Sequence, residues 1–296
     1  MAKRAVCAAN MRGIGMGMHI YSNDNKEWFP HHTYETNYVQ DVTLSWPEKA
    51  DDDDDDAGPR EHGVRWVGTM GSNEFLKISE HEKTSPKRSH PSRSLFLLII
   101  QGMTVPKQFT CPSSRDSEDD LRNYGPDAGG SAVGIASRPG RDRFDFRGYD
   151  HLSYGYQLPY GPRARPSQIL DVRVAVAADK GPYYQSGGPG LAGSNTTRDE
   201  RSSVHPPAAW AGRDGPISNE EWRPYNSRNH RGEGQNVLYM DMHVSFVKGP
   251  LAGLNGDNIC TIQSKKGDRV ATLIGLVPNA EQAWGPMTNT DSFIVP

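Results

Sequence analysis

An α+β fold, with one N-terminal helix followed by a mainly antiparallel β-sheet carrying long loops, is predicted by three features of the sequence. The first is a helical stripe: Cys7, Met11, Ile14, Met18 and Tyr21 recur at alternating spacings of four and three residues. The second is a set of short strand-forming runs, "LSYGYQLPY", "VRVAVAA" and "NVLYMDMHVSFV", each bounded by turn residues. The third is composition. With 31 glycines, 22 prolines and 35% hydrophobic residues, the 296-residue chain describes a modest core under long polar loops. No internal repeat is visible, and no linker separates two self-sufficient apolar patterns, so one decorated domain is expected.

The first helix carries Gly13, Gly15 and Gly17, each costing about 1 kcal/mol against alanine. Gly13 and Gly17, one turn apart, offer a place for another element to approach closely. The helix should stop near "SNDN", and "KEWFP" should be extended. Between residues 31 and 92 only "HHTYETNY" and "VRWVGTMG" suggest short strands. "DDDDDD" at 51–56 reads as a solvated loop, since calcium loops need glycine turns and carbonyl ligands that six aspartates do not supply. "LFLLII" at 95–100, with serines before it and Gly102 after it, predicts a short buried helix. Residues 113–150 are polar. "LSYGYQLPY" predicts a half-buried strand, and "VRVAVAA" gives the clearest β signal, ending at Asp179 and Lys180. Residues 185–228 read as a long loop, and the last fifty residues hold scattered strand signals such as "DRVATLIG".

Several function classes are disfavoured. The net charge of −3, from 33 basic and 36 acidic residues, provides no field for nucleic acid. No run approaches the roughly 20 apolar residues that span a bilayer, and "MAKRAVCAAN" lacks the apolar core of a signal peptide. Taken literally, such a chain is soluble and cytoplasmic. Neither GxSxG nor HExxH occurs, and no acidic pair stands in an obviously apolar setting. "NTT" at 195–197 matches a glycosylation acceptor, a pattern too short to carry weight. Three cysteines, Cys7, Cys111 and Cys260, form no CxxC motif. Three thiols and one disulfide plus a free thiol both stay open. A Cys7–Cys111 bridge would close a loop of about 100 residues.

The stretch "NHRGEGQNVLYMDMHVSFV", residues 229–247, concentrates the candidate chemistry. As one continuous strand it places Val237, Tyr239, Asp241, His243 and Ser245 on one face and an apolar set on the other. Asp241 and His243, joined by His230 and by Asp179, would then be ligands for a divalent ion, calcium or zinc, in a metal-binding protein or a metal-dependent hydrolase. As a hairpin turning at Asp241-Met242, the same residues would cap a turn, and Met242 would carry the penalty of a positive φ. The hairpin is the favoured reading. His230 sits in a Gly-rich loop that lacks the ending of a phosphate loop. His31 and His32 are adjacent and so point apart on a strand. Trp210, Trp222 and Tyr225, read as exposed aromatics, suggest a carbohydrate-binding module instead.

"KRAVCAANMRGIGMGMHIYSNDNKEWFP", "FTCPSS", "VAVAADKGPYY", "LNGDNIC" and the 229–247 stretch together resemble pseudopilin-like proteins, which carry a prepilin-type N-terminal methylation segment and are similar to type II secretion pseudopilins. The 229–247 stretch resembles their H-x-G…N-V-L-F-x-D-G-H-V-x-F signature, with Met242 where the family has glycine. The resemblance implies a pilin-like fold: residues 1–27 as the lower part of a stem helix packed on an antiparallel sheet, and residues 28–296 as a single head domain. It implies a Cys7–Cys111 disulfide, with Cys260 free. Its leader and apolar upper stem are absent from the sequence, and the expectation is that they precede it, giving the only link to a membrane. What carries over is assembly and secretion rather than a reaction. The chain is expected to be a non-enzymatic envelope protein, periplasmic or on the cell surface. It should pack through Met11, Ile14, Met18 and Tyr21 against copies of itself or other pilin-like subunits, and bind partners or cargo through its head.

Overall fold

The computed structural model describes residues 2–31, 91–123, 135–136, 146, 151–157, 159, 166–182, 184–185, 197–198, 206–263, 272–275 and 290–295. The aspartate run, the "HHTYETNY" and "VRWVGTMG" strands, His32 and the "NTT" triplet's first residues lie outside them. Within them the fold is α+β.

Helix α1 spans Ala2–Asp24 and ends where the sequence predicts. Its stripe of Cys7, Met11, Ile14, Met18 and Tyr21 is buried, which brings roughly 1.5–3 kcal/mol of favourable transfer energy per side chain. Helix α2, Pro91–Ile100, is the "LFLLII" segment. It closes in a Schellman motif: Gly102, at φ +70°, donates to Ile99 O, and Met103 N donates to Leu98 O. Two small ladders form sheets of their own, β1 (Arg122–Asn123) with β2 (Ile135–Ala136), and β5 (Tyr184–Gln185) with β6 (Thr197–Arg198). The main sheet is antiparallel in the order β8-β7-β4-β3-β9, built from β3 (Tyr154–Gln157), β4 (Ala175–Asp179), β7 (Gln235–Tyr239), β8 (Val244–Val247) and β9 (Ile294–Val295). The expected long loop at 185–228 also contains a single helical turn, α3 (Asn219–Trp222). It is opened by a capping box in which Ser218 accepts from Glu221 N and the Glu221 carboxylate reaches back to Ser218 N.

Three expectations need correcting. Strand β3 is not half-buried: all four residues are inside, because strands pair on both of its edges and the core closes over it. "DRVATLIG" does not supply a strand where it is described: Thr272 and Leu273 form a helical turn whose carbonyls accept from Asn258. Trp210, Trp222 and Tyr225 are not a displayed aromatic surface. Their rings meet edge to face at 5.0–6.1 Å in a small second core, where Trp222 is 5% and Tyr225 8% exposed.

The 229–247 stretch is a hairpin. Its turn is centred one residue earlier than expected, at Met240-Asp241: Met242 N donates to Tyr239 O, and Tyr239 N donates to His243 O. This is a three-residue loop whose last position must be left-handed, and Met242 occupies it at φ +68°. Methionine is held there by packing, for its side chain reaches back to α1. A Cβ on Gly15 would lie 2.5 Å from Met242 Sδ and 2.9 Å from Leu238 Cδ2. Gly17 is approached from another side by Thr104 Cγ2, 3.1 Å from the same virtual atom. Gly15→Ala therefore sets a helix-propensity gain of about 1 kcal/mol against overpacking of about 1–3 kcal/mol at the helix–hairpin contact. The expected result is a net loss in urea-unfolding stability, whereas Gly13→Ala, which meets only the flexible end of Gln108, should be neutral or better.

Candidate functional site

Five segments converge at the end of the sheet where β4 finishes: α1, the chain after the 3-10 turn Pro106–Phe109, the start of β3, the 3-10 turn Arg228–His230, and β7. Cys7 of α1 is disulfide-bonded to Cys111, with Cα atoms 5.2 Å apart and a sequence separation of 104. The helix is thereby pinned to the junction. Chain entropy alone makes such a cross-link worth about 4.7 kcal/mol. Cys260 is the free thiol; burial pushes its pKa up to about 12, so it is a poor nucleophile.

Around the disulfide lies a buried polar network. Asp179, the last residue of β4, is 2% exposed. Its Oδ1 accepts from Asn229 Nδ2 at 3.1 Å; its Oδ2 accepts from Asn236 N at 2.6 Å and Asn236 Nδ2 at 3.1 Å. His230 Nε2 lies 3.1 Å from the same Oδ2, 3.1 Å from Asn236 Nδ2 and 3.9 Å from Cys111 Sγ. Asn229 also donates to Ser153 O at 2.7 Å, joining this group to a second one. There, Lys180 Nζ bridges both oxygens of Asp116 at 3.1 and 3.2 Å, Ser153 Oγ donates to Asp116 Oδ2 at 2.6 Å, and Cys111 N donates to Ser153 Oγ at 2.9 Å. Buried charges are thus paired and saturated with hydrogen bonds, the condition under which burial is tolerated. A catalytic serine or lysine needs access to a substrate; Ser153 is 0% and Lys180 7% exposed.

The four residues proposed as one metal set do not meet. Asp179 and His230 are together at this junction. Asp241 and His243 are together at the hairpin tip, about half exposed, where His243 N donates to Asp241 Oδ1 and the His243 ring stacks on Tyr239 at 4.4 Å. Between Asn236, which touches His230, and Tyr239, which touches His243, the strand runs roughly 10 Å at 3.3 Å per residue. The two pairs are therefore separate, and Asp241 and His243 serve the turn. The set that the fold does bring together is Cys7, Cys111 and His230, whose ligand atoms all lie within 4.8 Å of one another. That cluster could hold a metal ion. Sequence reading passed over Asp116, Ser153, Asn229 and Asn236, since each comes from a different segment; only the "ADK" at a strand end and the histidine of "NHRGEG" hinted at the place. His31 Nδ1 lies 3.2 Å from Phe29 O, away from this junction's residues in sequence.

A second buried feature lies near the C-terminus. Asp257 and Asp291 are 1% and 0% exposed; Ser292 N donates to Asp257 Oδ2 at 2.9 Å and Gln263 N to Asp291 Oδ1 at 3.1 Å. This is a buried acidic pair that the sequence did not reveal. Burial, and then the charge of Asp291, push the Asp257 carboxyl up to about 8. The folded protein keeps this proton over a range in which the unfolded chain, with a carboxyl near 4, has released it. Stability should accordingly fall as pH rises from about 4 to about 8 and level off above that. Asp257→Asn, which keeps the acceptor for Ser292 N, should flatten that slope and leave the variant more stable than the parent at pH 8.5; thermal unfolding at stepped pH measures it.

No protein-family model, no curated protein and no solved structure matches this chain. Among the described residues no helix is long and apolar enough to cross a membrane.

Proposed function

We propose that the chain is a non-enzymatic, pilin-like subunit of an extracytoplasmic assembly, with α1 as the lower stem and the sheet-bearing body as the head. The observation that carries the reading is the two-faced character of α1. The inner stripe, Met11, Ile14, Met18 and Tyr21, was expected to meet other subunits, yet it is only 0–6% exposed because it is spent on the chain's own core. The outer side carries exposed apolar residues as well, set among Arg12, Asn23 and Asp24. Val6, Met16 and Ile20 are 49%, 58% and 52% exposed, and Ala2, Ala5 and Ala9 lie among them on the same side. A helix already docked on one side has no folding use for a second apolar side, and such surface marks a contact with another chain. The assembly face therefore moves to Val6, Met16 and Ile20, and the partners it fits are copies of this chain or pilin-like chains of similar helix surface. The disulfide supports an oxidising compartment outside the cytoplasm. Ile20→Cys in the full chain tests the reading. A short bis-maleimide should join copies through that position, since Cys260 is buried and the other two cysteines are bonded. Cross-linking no faster than at an exposed polar control outside the helix, such as Glu118→Cys, would count against it.

A second reading is favoured by the Cys7, Cys111 and His230 cluster. Tetrahedral zinc with bonds of about 2.0–2.3 Å sets its ligand atoms roughly 3.3–3.8 Å apart. The 3.9 Å between Cys111 Sγ and His230 Nε2 is about 0.1 Å longer than the longest such edge, a gap that a small side-chain shift closes. The thiol form of the chain, with the disulfide reduced by a phosphine and two protons lost on binding, would hold zinc with both sulfurs and the imidazole. Stoichiometric zinc in the reduced protein, lost in His230→Ala and absent from the oxidised protein, supports this reading; zinc-free reduced protein refutes it.

A further inference from the structure

We infer that the free edge of β8 pairs, antiparallel and about a two-fold axis, with the β8 edge of a second copy of this chain. The inference rests on the reading of α1 as a subunit contact and adds a second contact to it. The direction of each backbone group in β8 follows from its pairing. In the β7–β8 register Val237 faces Ser245 and Gln235 faces Val247, and Tyr239 N donates to His243 O. Hydrogen-bonded and non-bonded pairs alternate along an antiparallel ladder, so Ser245 and Val247 turn their backbone groups toward β7. Asn236 obeys the same alternation: its N donates away from β8, to Asp179 Oδ2. The N–H and C=O groups of Val244 and Phe246 therefore point outward from the sheet's edge, where no described residue pairs with them. At Lys248 the edge closes, since Lys248 O accepts from Asn226 Nδ2 at 2.9 Å.

Two features select the occupant. The first is that the edge is unguarded. Sheet edges are ordinarily blunted by proline, an inward charge or a bulge, and the half-buried strand "VSFV" carries none of these, whereas the opposite edge, β9, is only two residues long. The second is charge. Asp241 stands half-exposed just before the strand, and Lys248 stands exposed just after it. An antiparallel pairing centred on Ser245 brings each Lys248 beside the second copy's Asp241; a parallel one would set like charges together. The same pairing uses every open group, with Val244 exchanging both its bonds with the second copy's Phe246, and Phe246 with its Val244. The two five-stranded sheets then run on as one. Four such bonds fall short of the cost of joining two free chains. Edge pairing thus extends assemblies that α1 has already begun, where several edges act at once, and a chain deprived of its α1 stripe stays single.

Ser245→Cys in the oxidised full chain tests the inference. In this pairing Ser245 lies opposite the second copy's Ser245 as a non-hydrogen-bonded pair, with about 4.5 Å between Cα atoms, within reach of a disulfide. Cys260 is buried and the other two cysteines are bonded, so mild oxidation reports on position 245. An interchain disulfide should form at least about tenfold faster than in Glu118→Cys. Val244→Pro is the second variant. It removes an N–H that β7 does not use, and an edge strand accepts proline there, so the unfolding temperature should hold. The disulfide of Val244→Pro/Ser245→Cys should slow to the Glu118→Cys rate, and sedimentation of Val244→Pro should stop at the complexes that α1 alone makes. A parent that associates while Ser245→Cys cross-links no faster than the control overturns the edge contact and leaves the α1 reading standing. A disulfide indifferent to Val244→Pro overturns it too, as do smaller complexes in Val244→Pro without a disulfide at 245, which would put another segment on the edge. A parent that stays monomeric ends both.

Discussion

Cys7→Ser/Cys111→Ser should lose about 2–5 kcal/mol of unfolding stability, the largest change expected from any alteration of α1. The bond closes a loop of 104 residues, and opening it returns that loop's freedom to the unfolded chain. It also removes the disulfide tie between α1 and the polar junction, leaving the helix held by its apolar stripe and by polar contacts such as Asn10 Nδ2 to Thr110 O and Arg4 to Glu233. A urea titration of the double variant should show a lower midpoint, and the parent protein in a phosphine reductant should fall to nearly the same midpoint. Cys260, a buried free thiol beside Gly181, is untouched by either treatment. A midpoint unmoved by reduction would mean that the cross-link contributes nothing to holding the helix.

Asp179→Ala should be nearly as damaging, at roughly 3–5 kcal/mol. The carboxylate accepts from Asn229 Nδ2, Asn236 Nδ2 and Asn236 N, and stands against His230. Truncation strands those donors where water does not reach, and each stranded group costs about 1–3 kcal/mol. The damage should be local in origin and wide in effect, since Asn229 also reaches Ser153 O and through it the Asp116–Lys180 pair. Hydrogen exchange should show loss of protection at Asn236 N and at neighbouring β7 amides before the rest of the sheet opens. A fully protected Asn236 amide in the alanine variant would show that Asp179 is not its partner.

The parts of the fold that could be read from sequence are those whose burial follows a local period. The stripe of α1 was legible because one side of a helix faces the core, and β4 because β-branched and small residues fill a central strand. The hairpin was legible as a hairpin, yet its turn slipped by one residue. Turn chemistry alone placed Met242 as a central residue, whereas the contact of its sulfur with Gly15 and the Tyr239–His243 bond place it at the left-handed third position. The candidate site was legible only in fragments. Asp179 and His230 stood out by type, but their partners Asn229, Asn236, Ser153 and Cys111 become neighbours only after the sheet pairs, and no spacing encodes that. Likewise the aromatics at 210, 222 and 225 looked like a display surface because their neighbours are polar, when in fact they bury one another. The raised pKa of Asp257 was invisible for the same reason: its partner, Asp291, is 34 residues away, brought in by the segment that runs into β9.

The central claim is that the outward stripe of α1, not its buried stripe, joins subunits. Sedimentation velocity of the oxidised full chain over a rising concentration series tests it most directly, beside a Val6→Asp/Met16→Asp/Ile20→Asp variant. The account predicts that the parent associates as concentration rises and that the variant stays monomeric with an unchanged unfolding temperature. A parent that remains a monomer throughout, or a variant that associates as the parent does, would contradict it.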